Sequence, residues 1–334
     1  MNKSFILSTG SYLPKKTLSN DEIALMVETN DEWIRQRTGI TQRHIADEEE
    51  LTSDLAVNAA KNAIEKAKIS VDEIGLIIVA TTTPDKTLPS CATIVQNKLK
   101  CKNAFSFDVQ AACSGFIYAV TAADSLIKSN NRIKYALVIG AEIMSRIVNW
   151  KDRSTCVLFG DGAGAVIMKS AFRSGVIPEN GTDAPVEGFT GDIISTSLYS
   201  GGNVDILCTN GGISSTGDSG KIFMNGREVF KHAVDKLTAL IEETLKCNNL
   251  KITDIDWLVP HQANIRIIEA VVKKLNFPIE KTINTVDQHA NTSAASIPLA
   301  LDYAIKKSKI KPGNLGLLIA IGAGLTWGSV LLRY

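Results

Sequence analysis

The chain of 334 residues predicts an α/β fold built twice. Two observations carry this. Continuous apolar runs of strand length, such as residues 76–80, alternate with amphipathic helical stretches, the pattern of sheets covered on both faces. The same succession then returns about 180 residues later. In the first half, residues 55–68 read as an amphipathic helix, 72–74 as a connector and 76–80 as a buried strand. In the second, residues 229–247, 254–256 and 257–259 take those places. A further unit repeats: helix 114–128 followed by strand 136–140 matches helix 294–307 followed by strand 317–320. Each half closes on Gly-rich punctuation and a last strand, 165–168 and 330–332. The expected division is 1–171, a linker or insertion at 172–192 rich in Gly, Pro and polar residues, and 193–334.

Charged residues make up 21% of the chain and the formal net charge is +1, so no nucleic-acid-binding footprint is expected. The six cysteines are scattered without a CxxC pair. With no opening stretch that reads as a secretory signal, this fits a reduced, cytoplasmic protein. No apolar run reaches the ~18 residues that a membrane-spanning helix needs. His44, His232 and His289 offer no metal-ligand spacing. The run Gly160-Asp161-Gly162-Ala163-Gly164 leads into a strand rather than opening a helix, which argues against a dinucleotide fingerprint.

Three polar residues each follow a strand, where parallel α/β sheets collect their sites. Cys113 lies between strand 104–109 and helix 114–128, at a helix N-terminus whose free N–H groups favour a thiolate. Small neighbours leave the sulfur approachable. His261 follows strand 257–259 and Pro260. Asn291 follows an expected strand at 282–286 and opens the helix around 296–307. Alone, each has a plain structural reading: a buried small hydrophobe, a polar core residue and a helix N-cap.

The segments around these residues, with Asp31-Glu32-Trp33-Ile34, Arg37-Thr38-Gly39-Ile40, the Gly160 run and Thr326-Trp327-Gly328-Ser329, together resemble the β-ketoacyl-acyl-carrier-protein synthase III family along nearly the whole chain. The resemblance implies the thiolase-like fold, two pseudo-twofold-related βαβαβ halves stacked in five layers. It implies decarboxylative Claisen condensation of a short acyl-CoA, acetyl-CoA foremost, with malonyl-acyl-carrier protein to initiate fatty-acid synthesis. Cys113 would carry the acyl group, while His261 and Asn291 would donate to the developing enolate. Backbone N–H groups of Cys113 and Ala323 would form the second oxyanion site. Thr29, Trp33, Arg37, Arg153, Gly226 and Asn264 match coenzyme A and pantetheine contacts. Leu88 and Phe159 match the acyl pocket, Leu88 acting across a homodimer interface. Lys231, Gln262, Arg266, Lys273 and Lys274 match the surface that meets the carrier protein. No cofactor beyond the coenzyme A thioester substrate and no metal is expected.

The chain departs from the family in carrying Ala290 and Ala323 where Gly is common, Leu325 in place of a frequent Phe, and Leu88 where many relatives have Phe. An amide donor survives Gly→Ala if φ stays negative. Other readings differ in class. Thiolases use a second cysteine and elongating synthases two histidines, and Asn291 in third place argues against both. A priming synthase of a secondary pathway stays open on these motifs. Papain-like hydrolases also order Cys, His and Asn, but their Cys-Gly-Ser-Cys-Trp-type surroundings are missing. Silent partner subunits lose the nucleophile, which is retained here.

Overall fold

The computed structural model describes residues 3–171 and 192–334. The expected linker lies outside the described residues, apart from Asp192. The first half contributes β1 (Lys3–Tyr12), α1 (Asp31–Thr38), α2 (Thr52–Ala67), β2 (Ile74–Ala80), α3 (Cys91–Leu99), β3 (Phe105–Val109), α4 (Gly115–Ser129), β4 (Tyr135–Ile143) and β5 (Asp161–Ala171). The second contributes β6 (Asp192–Ser200), α5 (Gly226–Cys247), β7 (Trp257–Pro260), α6 (Ile265–Lys274), α7 (Ser296–Lys306), β8 (Leu315–Gly322) and β9 (Thr326–Arg333).

The first sheet has the order β1-β5-β4-β2-β3, and the second β6-β9-β8-β7. Strand directions agree throughout: β2 is parallel to β4 as β7 is to β8, and β5 is antiparallel to both neighbours as β9 is. The fifth strand expected at 282–286 does not form. It is reduced to one parallel bridge between Thr282 and Leu258, with Ile283 N–H donating to Leu258 O at 2.9 Å. The Gly160 run enters the antiparallel strand β5 and opens no helix.

Alternate residues on each strand point to opposite faces, so both sheets are covered twice. Ile77 and Val79 of β2 face α2 and α3, while Leu76 and Ile78 join α4 and α7. Leu318 and Ala320 of β8 meet those same two helices, whereas Leu317 and Ile319 face α5 and α6. The result is five layers with α4 and α7 in the middle. Each fully buried Leu, Ile or Val there contributes roughly 1.5–3 kcal/mol of transfer free energy. Among the described residues no helix is long and apolar enough to cross a membrane.

Candidate active site

Cys113 sits in a single 3-10 turn, Ala112–Ser114, between β3 and α4. Ala112 enters the turn in the left-handed region, at φ 46°. The start of β9 anchors the turn: Ser114 Oγ donates to Thr326 O at 2.8 Å, and Thr326 Oγ1 donates to Ala111 O at 2.9 Å. Gly322 lies beneath it, where a Cβ would stand 2.8 Å from the Cys113 amide nitrogen. The helix end does not, however, hold a thiolate at rest. Burial pushes the thiol up to about 12, the neighbouring Ser293 hydroxyl opposes the rise, and the nearby Glu142 carboxyl adds to it. Loss of water outweighs the helix terminus at a cysteine that is 8% exposed.

His261 continues β7, its N–H donating to Ile319 O at 2.8 Å. Its Nδ1 lies 2.6 Å from Ser296 Oγ, at the first residue of α7. That hydroxyl oxygen also accepts from Gln262 N–H at 3.3 Å. Among the described residues no other acceptor is within reach of the Ser296 hydroxyl hydrogen. The hydrogen therefore goes to Nδ1, and the ring proton sits on Nε2. Burial lowers the imidazole to about 3, so the ring is a neutral donor.

Asn291 is held by the loop after α4 and β4, with its N–H on Leu158 O at 2.9 Å and its carbonyl accepting from Gly160 N–H at 3.0 Å. Its Oδ1 accepts from Ser293 N–H at 2.9 Å. That bond fixes the amide so that the Nδ2 hydrogens remain for a ligand. Asn291 does not cap α7, whose N-cap is Ala295.

One cavity of about 640 Å³ is lined by Cys113, His261, Asn291 and Ala323, and also by Phe159, Trp33, Arg37, Arg153, Gly226 and Asn264. Arg153 and Arg37 lie over the Trp33 ring, 5.0 and 5.8 Å from its centroid. Asn264 Nδ2 donates to Arg37 O at 3.0 Å while Oδ1 caps α6. Thr29 does not line the cavity, and its Oγ1 is buried without a partner. Leu88 is 78% exposed and lies outside its own chain's cavity. Lys231, Arg266, Lys273 and Lys274 are exposed.

Gln262 contradicts its expected place on the carrier-protein surface, because it is fully buried. Its Nε2 donates to Pro260 O and Ile283 O, and its Oε1 accepts from Thr285 N–H. The side chain supplies the ladder that the missing fifth strand would have made. Ala290 also departs from expectation, with φ at 57°, whereas Ala323 stays out of the left-handed region. The sequence reading gave no role to Ser293 and Ser296 and missed Glu142. A lone carboxylate inside the otherwise apolar run 135–143 was the available signal.

The family described as 3-oxoacyl-[acyl-carrier-protein (ACP)] synthase III matches residues 107–180, and its C-terminal family matches 245–334. The β-ketoacyl-[acyl-carrier-protein] synthase III of Wolbachia sp. subsp. Brugia malayi (strain TRS) is 86% identical over 334 residues, covering 100% of both chains. The protein of the same name from Ehrlichia canis (strain Jake) is 58% identical, again over 100% of both. The crystal structure of 3-oxoacyl-[acyl-carrier-protein] synthase III from Aquifex aeolicus VF5 superposes with a TM-score of 0.89 at 47% identity, covering 99% of this chain and 100% of that one. The thiolase-like architecture and full-length identity agree: this chain belongs to the β-ketoacyl-[acyl-carrier-protein] synthase III family of condensing acyltransferases.

Proposed function

We propose that the chain joins a short acyl-CoA, acetyl-CoA foremost, to malonyl-acyl-carrier protein, releasing carbon dioxide and forming a 3-oxoacyl-acyl-carrier protein. The observation that carries this is one cavity holding a cysteine and two neutral N–H donors. Cys113 attacks the acyl thioester and retains the acyl group. Malonyl thioester then loses carbon dioxide, and its oxygen takes up negative charge beside His261 Nε2–H and Asn291 Nδ2. Departure of carbon dioxide supplies the carbanion, so that step calls for no strong base, metal or organic cofactor. The carbanion attacks acyl-Cys113, and the amides of Cys113 and Ala323 receive the second oxyanion.

In this reading Trp33, Arg37 and Arg153 take the adenine and phosphates of coenzyme A, as an indole and guanidinium groups suit a purine and a phosphate. Thr29, Gly226 and Asn264 follow the pantetheine arm. Lys231, Arg266, Lys273 and Lys274 meet the acidic carrier protein, and two copies of the chain pair in the cytoplasm. The test is intact-mass analysis after brief incubation with a panel of acyl-CoAs, followed by peptide mapping. The acyl mass is expected on Cys113 alone. An unmodified Cys113, or label spread over Cys91 and Cys208, overturns the assignment.

A further inference from the structure

Glu142 is fully buried near the end of β4. Its Oε1 accepts from Thr82 Oγ1 at 2.6 Å and Ser293 Oγ at 3.0 Å. Its Oε2 accepts from Thr83 Oγ1 at 2.6 Å and Thr81 Oγ1 at 3.3 Å, and Thr82 N–H reaches both oxygens. Thr81 and Thr83 hydroxyls already accept from Thr83 N–H and Ile143 N–H, which directs their hydrogens to the carboxyl. Four hydroxyls and an amide thus converge on two oxygens, a donor set that a carboxylate accepts in full. Among the described residues no Lys, Arg or His pairs with Glu142. A buried carboxylate without a cation is costly and asks for a reason.

The reason lies on the far side of Ser293. Its single hydroxyl hydrogen goes to Glu142, which leaves its oxygen to accept from the neighbouring Cys113 thiol, and Ser293 and Cys113 both line the catalytic cavity. Ser293 holds this place at φ 49°, a conformation that a serine adopts at a cost. The thiol must lose its proton to attack, and the other candidate acceptor is poorly suited. His261 has its Nδ1 lone pair engaged by Ser296, and burial weakens it as a base. Burial does the reverse to Glu142, making it a stronger base than an ordinary carboxylate. The other titratable group facing Glu142 is Cys91 at the head of α3, backed by Asp85 and Asp108. Across β5 its neighbour is Gly162, which brings no charge.

We propose that Ser293 and Glu142 form a proton relay for Cys113. As the sulfur attacks the thioester carbon, the Cys113 S–H proton passes to Ser293 Oγ and the Ser293 proton passes to Glu142 Oε1. The new S–C bond forms, the C–S bond to coenzyme A breaks, and the departing thiolate recovers one proton by the reverse path. No proton is gained or lost. Ser293 exchanges a proton with the reacting sulfur, Glu142 acts through Ser293, and the proposal rests on Cys113 being the nucleophile.

The test is the first-turnover rate of Cys113 acylation by acetyl-CoA, followed by quenched-flow mass spectrometry across pH. It uses the full chain, Ser293→Ala, Glu142→Gln and the double variant. Each single variant is expected to slow acylation by about 10²-fold. The double variant is expected to be no slower than the worse single one, because the pair acts as a unit. The wild-type rate is expected to fall at low pH as Glu142 takes up a solvent proton, and Glu142→Gln to lose that limb. A carboxylate acting only as a fixed charge gives the opposite sign, since its removal would ease thiolate formation and speed acylation. A faster or unchanged Glu142→Gln, or losses that add in the double variant, overturns the relay. Ser293→Ala removes one hydroxyl and keeps the test available if Glu142→Gln does not fold. A wild-type Cys113 that takes no acyl group overturns the nucleophile assignment itself, a result distinct from a slowed variant.

Discussion

The turn Ala112–Ser114 and the turn Ser293–Ala295 are one backbone device used twice. Each is entered through a left-handed residue, makes a single 3-10 turn and leads into a central helix. Each also rests on a glycine from the other half's sheet. A Cβ on Gly322 would stand 2.8 Å from Cys113 N, and one on Gly140 would stand 2.2 Å from Ala294 O. The side chains differ. The first turn centres on Cys113, whereas the second centres on Ala294 and carries its polar groups earlier, at Asn291 and Ser293. The repeated fold supplies two matching seats, and under the proposed function the unequal residues in them would separate an acyl-carrying half from a half that donates to the enolate.

Asn291→Ala tests that separation most severely. Losing one donor to a developing oxyanion costs about 10²–10³ in rate. That loss is expected in malonyl decarboxylation, with acyl transfer to Cys113 measured separately and falling far less. Equal losses in the two half-reactions would show that the halves do not divide the chemistry.

The two central helices also differ in how they are held. In α4, Asp124 accepts from Ser4 of β1 and pairs with Lys128 one turn on. In α7, Asp302 accepts from Thr9 and Ser11 of β1, from Lys66 of α2 and from Lys306, so it ties the second half to the first. Burial alone would raise the Asp302 carboxyl, but hydrogen bonds from Lys306, Lys66, Ser11 and Thr9 outweigh it and hold it at about 2 against an ordinary 3.8. The folded value is the depressed one, so its stabilisation is present above pH ~4 and is lost as pH falls towards 2. Asp302→Asn is expected to lower stability by on the order of 2 kcal/mol at pH 7. Denaturant titrations of both proteins should converge between pH 4 and pH 2. A constant gap across that window would mean that Asp302 acts through packing alone.

Where the halves agree, the sequence was readable, because strands and helices announce themselves by periodicity. Residues 55–68 and 229–247 bury one face each and fold as α2 and α5. Where the halves diverge, tertiary partners decided. The backbone at 283–285 is met by the buried Gln262 side chain rather than by a strand ladder, and no local pattern encodes that. The thiol of Cys113 is raised by burial among distant segments, which a helix terminus read from the sequence does not reveal. The left-handed φ of Ala290 is invisible in an alanine. Cys113 and His261 were legible through motif and position after strands, Asn291 through motif alone, and all three line one cavity.

The subtlest difference between the halves lies in the loops that follow β2 and β7. Residues 261–264 connect β7 to α6 directly and place His261 in the cavity. The equivalent connection from β2 to α3, residues 81–90, is longer and carries Leu88 outward to 78% exposure. An exposed leucine on a long loop, outside its own chain's cavity, is what a chain closing its partner's pocket would present. Leucine is smaller and more flexible than phenylalanine, so the pocket it closes should be roomier and admit propionyl or butyryl primers. Each methylene in such a pocket discriminates by only about 1–3 kcal/mol, which makes the preference graded. Leu88→Phe is therefore expected to raise the acetyl-to-butyryl ratio of kcat/KM by several-fold. Sedimentation of the same samples should show a dimer. An unchanged ratio, or a fully active monomer, would remove Leu88 from the pocket and leave the long loop of the first half without its assigned role.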